Sequence, residues 1–266
     1  MIVLRRFVGD RSRSLLWWSV GLVGLVAMTV SFYPSIKGEA SFEDLMTDLP
    51  DAFKALVGAQ AGVAFSSPAG YLHTQMFTSL IPMVLLIFGI GLGGRAIGGA
   101  EDDGTLELLL ANPVTRRRVF VERGLAVLGL LAALTFVGAA ALYLLGPAFD
   151  VLEGLSTAHV LAEWAAVASL ALLHTVLAFA IGAARGHRAP ALAAAATVAV
   201  AGYMVEGLLA VTDALRPLRV VSPWHWYLER NALVDGTTLQ ATLLPVLVAA
   251  GLAVFSAWRF ERRDLR

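Results

Sequence analysis

Six stretches of this 266-residue chain are each long and apolar enough to cross a hydrocarbon layer, near residues 15–33, 74–94, 124–146, 160–184, 191–211 and 241–258. A helix needs about 20 mostly apolar residues to do so, and inside the layer every backbone amide must find its partner within the segment. The pattern therefore predicts a single all-α integral membrane domain, residues 1–266, with six transmembrane helices. The composition agrees, being 58% hydrophobic and 15% charged, whereas soluble domains carry roughly 25% charged residues. The first run follows arginines, as a secretory signal does. It is longer than a signal core, however, and Phe32, Tyr33 and Pro34 follow it instead of small residues, so it reads as a retained span.

Net charge is zero, which gives no bias toward nucleic acid, but the basic residues are strongly segregated. Arg5, Arg6, Arg11, Arg13, Arg95, Arg116, Arg117, Arg118, Arg123, Arg185, Arg188, Arg259, Arg262, Arg263 and Arg266 all fall in segments on one side of the six spans. The other side holds Lys37, Lys54, Arg216, Arg219 and Arg230. Basic loops are retained in the cytoplasm, so both termini are expected there. Of the tryptophans, Trp17, Trp18, Trp164 and Trp258 fall near span ends and Trp224 and Trp226 in an outer loop, as expected where the membrane interface favours an amphipathic ring.

Two further segments have the pattern of helices lying on the membrane surface. Residues 1–14 carry an apolar stripe of Leu4, Phe7 and Val8 beside arginines, and Phe42, Leu45, Met46, Leu49, Phe53, Leu56 and Val57 keep helical spacing across Pro50. Packing against the chain's own spans explains either stripe equally well.

Soluble-enzyme chemistry is largely excluded. There is no cysteine, so no disulfide or thiolate site. The only lysines are followed by Gly38 and Ala55, so no Walker A loop is present. His73, His159, His174, His187 and His225 lack the spacing of a helical zinc site, and Ser156 near His159 or His174 is only a faint nucleophile candidate. Gly89, Gly91 and Gly94 spell G-x-G-x-x-G, but they end a span instead of opening a helix after a strand. Gly89 with Gly93, and Gly94 with Gly98, read instead as small-residue pairs that let helices approach closely. Titratable groups inside spans are costly, which singles out His174 and Glu206 as candidates for a translocation path or for structural pairing.

Residues 95–123, between the second and third spans, are the most informative. Acidic residues precede a stripe of Leu106, Leu109 and Leu110, then Asn112 and Pro113 stop one helix and can start the next. A leucine face rimmed by charge suits docking of another protein. The segment resembles the E-x-x-G-T-L-E-x-L-L-x-x-P-V-(S/T)-R signature of ABC-2 type permeases. Glu101, Gly104, Thr105, Leu106, Glu107, Leu109, Leu110, Pro113, Val114, Thr115 and Arg116 fall in register with it. Ser222, Pro223 and Trp224 also look like the family's S-P-(F/W) element.

The resemblance implies a type V ABC exporter-like fold, with an N-terminal interfacial helix, six spans, and residues 212–240 as an outer loop or re-entrant segment. It also implies that residues 101–116 form the coupling helix seated in a separate ABC ATP-binding subunit. Two such subunits and a second permease half, identical or not, would complete the complex in a prokaryotic cell membrane. ATP and magnesium would be held by the partner, with no cofactor in this chain. Glu206 departs from the family pattern, which has a neutral polar residue there. The rival readings are a non-transporting scaffold and an intramembrane lipid-modifying enzyme.

Overall fold

A computed structural model describes residues 2–38, 48–50, 53–54, 62–209, 217 and 220–263. Among them the chain forms no strand, and six helical segments are long and apolar enough to cross a membrane. The elements are α1 (Ile2–Phe32), α2 (Pro68–Leu72), α3 (Leu80–Gly94), α4 (Ala100–Asp102), α5 (Thr105–Leu110), α6 (Arg116–Leu145), α7 (Thr157–Arg185), α8 (Arg188–Leu209), α9 (Pro223–Leu228), α10 (Ala232–Asp235) and α11 (Leu239–Arg262).

The expected separate interfacial helix at the N-terminus is absent, because α1 runs unbroken from Ile2 to Phe32. At 1.5 Å per residue its 31 residues reach about 46 Å, well beyond a hydrocarbon layer of about 30 Å. Its first turns therefore project past the spans. There Leu4, Phe7 and Val8 pack into the chain's own core, the second of the two readings. Glu122 of α6 holds this end, accepting a hydrogen bond from the Leu4 amide at 3.1 Å, and a carboxylate suits the positive pole of a helix. Of the second expected amphipathic stripe, Phe42, Leu45, Met46, Leu56 and Val57 lie outside the described residues.

The second span is a composite rod. It begins at Pro68, earlier than the hydropathy indicates, because Ser67 caps it by accepting from the Gly70 amide at 3.1 Å and proline fits the first helical position. Two π-helical turns, His73–Phe77 and Arg95–Gly99, flank α3. The rod packs along α7, which also touches α6, α8, α10 and α11 and so forms the centre of the bundle. Close approach is possible because a Cβ on Gly89 would overlap the Thr175 hydroxyl, and one on Gly93 would overlap the Thr175 carbonyl. Gly94 meets Leu192 of α8, and Gly98 the backbone of His187. The small-residue pairs read from the sequence thus sit at helix contacts.

The first turns of α1 and the end of α11 lie at the same, arginine-rich end of the bundle, where α4 contacts the α7–α8 turn and Arg263 and shares a cavity with Phe7, Asp10 and Arg11. At the opposite end, Lys37 pairs with Glu153 at 2.7 Å and with Asp150 at 3.5 Å. The tryptophans divide. Trp17 is 70% exposed and Trp258 half exposed, whereas Trp164, Trp224 and Trp226 are buried in the protein. The indole of Trp224 donates to the Ala199 carbonyl at 2.8 Å, and that of Trp226 to Val220 at 2.9 Å. These rings anchor α9 to the bundle instead of sitting among headgroups.

Candidate functional site

The signature segment is a helix, a turn and the start of a span, as its pattern requires, but its parts take different tasks from those expected. Gly104 adopts φ +67°, a left-handed turn open to glycine at little cost, and separates α4 from α5. Thr105 closes the turn, donating to the Ala100 carbonyl at 3.0 Å. Asn112 caps the C-terminal end of α5 through the Leu108 carbonyl at 3.0 Å, so it does not start the next helix. Thr115 does, accepting from the Arg118 amide at 3.3 Å, and Pro113 and Val114 form the connection.

Of the acidic residues, Glu107 stands in the first turn of α5, but Glu101 and Asp102 are engaged elsewhere. Glu101 takes the fork of Arg263, just past α11, with Nη1 donating to Oε1 at 2.8 Å and Nη2 bonding the other oxygen. Arg116 in turn donates to the Arg263 carbonyl. Asp102 accepts from the Arg188 amide at 2.8 Å and contacts the His187 ring at 2.7 Å, so it caps α8 from outside that helix. The segment is consequently clamped at α4 to the end of α11 and to the α7–α8 turn.

The expected leucine face is also rotated. Leu106 is 0% exposed and belongs to the chain's own core, and Leu109 and Leu110 are partly buried against it. Leu108 is 72% exposed and stands outward with Glu107 on this face of the segment.

Glu206 and His174, expected as possible members of one path, are not brought together. Glu206 lies near the far end of α8, where its Oε1 faces His225 Nδ1 of α9 at 2.9 Å. His174 is fully buried, and its Nδ1 donates to Leu170 in its own helix at 2.9 Å, not to a neighbouring one.

A buried polar cluster goes beyond what the sequence singles out. Glu163, six residues into α7 and 1% exposed, sits 3.7 Å from His73 of the first π turn and 3.2 Å from the Tyr227 hydroxyl of α9. Tyr227 also donates to the Phe77 carbonyl at 2.6 Å, a carbonyl within the π turn. Neither ring nitrogen of His73 has a hydrogen-bond partner among the described residues. π turns recur at functional sites, and here one points a histidine at a carboxylate. The sequence does carry a signal for it: a carboxylate inside an otherwise apolar run. Truncating one member of a buried pair strands the other, so Glu163→Ala is expected to destabilise the protein by about 3 kcal/mol and Glu163→Gln by less. Thermal unfolding in detergent measures both, and equal midpoints for the native protein and Glu163→Ala would remove the cluster from any structural account.

Six apolar helical segments among the described residues, with the α4–α5 segment clamped at one end of the bundle, define a multi-pass membrane protein. The family model for ABC-2 family transporter proteins matches residues 1–265, and the chain belongs to that family. No curated protein matches it as a relative.

Proposed function

We propose that this chain is the permease subunit of an ABC exporter, with the arginine-rich end and both termini in the cytoplasm. The α4–α5 segment is its coupling helix, received by a separate ATP-binding subunit that holds ATP and magnesium. Two permease halves and two ATPases make the complex, and an amphiphilic cargo, such as a drug, an antibiotic or a lipid, suits spans with so few charges. The observation that carries this reading is the exposed Leu108 on an element otherwise clamped by Glu101 and Asp102, which can take a push and pass it on. Basic segments at that end support the orientation.

The test is purification of the tagged chain in mild detergent from its native host. A P-loop ATPase in stoichiometric amount, hydrolysing ATP faster when cargo is added, is the expected result. An ATPase that binds without cargo-stimulated turnover marks a scaffold, and no ATPase with a monodisperse protein overturns the reading.

Glu206→Ala is expected to leave the protein folded and to lower transport roughly tenfold, since a hydrogen bond to a charged group contributes about 1.5 kcal/mol or more. The pair ties α8 to α9, and unchanged cargo flux in proteoliposomes would show that the tie has no part in transport.

A further inference from the structure

At the arginine-rich end a cavity of about 460 Å³ opens between α1, the second π turn, α4, α6 and α8. Four guanidinium groups line it, each from a different element: Arg11 of α1, Arg95 of the π turn, Arg123 of α6 and Arg188 of α8. None of the four forms an ion pair with a described carboxylate. Arg11 lies over the Phe7 ring, and Arg123 bonds only the Ala96 carbonyl. The Nε atoms of Arg11, Arg123 and Arg188 are buried without a hydrogen-bond partner.

Asp10, Asp102 and Asp103 share the lining. Asp102 is already engaged by His187 and the Arg188 amide, and Asp10 and Asp103 are exposed. Gathering four like charges with unmet donors is unfavourable unless an anion joins them. Phosphate oxygens fit the guanidinium fork in pairs and can be shared by several arginines at once, and the volume is that of a ligand site.

We propose that this cavity binds a phosphate group, supplied either by the headgroup of an anionic phospholipid or as free phosphate. Depth favours the headgroup. Arg11 stands four residues before the first apolar run and Arg95 directly follows the last glycine of α3, so the site lies where hydrocarbon gives way to polar surroundings. Ala100, Asp103 and Thr105 also line the cavity, so a bound phosphate braces α1, α6 and α8 against the α4–α5 segment. The site stands independently of the exporter reading.

The experiment measures thermal unfolding of the full chain in uncharged detergent with phosphatidylglycerol, phosphatidylcholine or inorganic phosphate added, and counts retained lipid by native mass spectrometry. Phosphatidylglycerol is expected to raise the midpoint, and phosphatidylcholine to leave it unchanged. The triple variant Arg11→Gln, Arg95→Gln, Arg188→Gln is expected to bind roughly tenfold more weakly. Arg117→Gln, an exposed arginine at the same end, binds as the native chain does. Arg123 is left intact because it holds the Ala96 carbonyl. If inorganic phosphate alone reproduces the shift, free phosphate is the source and the site stands. Equal stabilisation by both lipids, or equal phosphatidylglycerol binding by native and triple variant, overturns it. Should the triple variant fail to fold, Arg95→Gln alone decides between the same outcomes, since Arg95 is exposed and its guanidinium makes no hydrogen bond among the described residues.

Discussion

Gly93→Val is expected to abolish the folded protein, giving aggregate in place of a monodisperse peak after detergent extraction. Helices in a membrane gain little from burying apolar surface against one another, since lipid is equally apolar, so close packing and interhelical contact must hold them. At Gly93 a Cβ would overlap the Thr175 carbonyl and stand 3.0 Å from the Phe179 amide nitrogen. Both obstacles are backbone of the central helix, which cannot rotate aside as a side chain does. The α3 rod would have to move away from α7, opening the contact that includes Gly89 and Thr175 and loosening the π turn that holds Arg95. Overpacking costs roughly 3 kcal/mol, and few membrane bundles tolerate that at their centre. Gly91 of the same helix meets nothing within 4 Å, so Gly91→Val should extract like the native chain. Equal yields for the two variants would mean that α3 and α7 are not in contact as described.

The six spans, the packing glycines and the signature segment were legible because each depends on a local property: a run of apolar residues, a missing side chain, or a motif in one stretch of chain. Pairings across the fold were not legible. Nothing in the neighbourhood of Glu206 announces His225, and Glu101 reads as a helix-dipole residue until Arg263, 162 positions away, closes on it. Glu163 lies inside the fourth apolar run yet was not singled out beside His174 and Glu206, and its meaning depends on His73 and Tyr227, which reach it from two other elements. The π turns leave no trace in composition, since they are a choice of backbone hydrogen bond. Tryptophan position does not tell which way the ring faces, and Trp164, Trp224 and Trp226 face inward.

The phase of α5 was illegible for a related reason, and it decides which substitution separates folding from coupling. Six residues are fewer than two turns, and with leucine at 106, 108, 109 and 110 several orientations satisfy the same pattern. The structure selects one. Leu106→Asp would place a carboxylate at a position with no exposure and no cation partner in the leucine's present packing, so loss of the folded protein is the expected outcome. Leu108→Asp changes a side chain that is 72% exposed, so extraction and unfolding temperature should match the native chain. If α5 seats in an ATPase groove, the same charge then meets an apolar surface and removes copurifying ATPase activity by about tenfold or more, as truncation of a central interface anchor does. The paired measurement, yield in detergent and ATPase retained on the tag, distinguishes the possibilities. Normal yield with lost ATPase identifies Leu108 as the contact. Normal yield with retained ATPase moves docking away from α5, toward other exposed residues of the arginine-rich end.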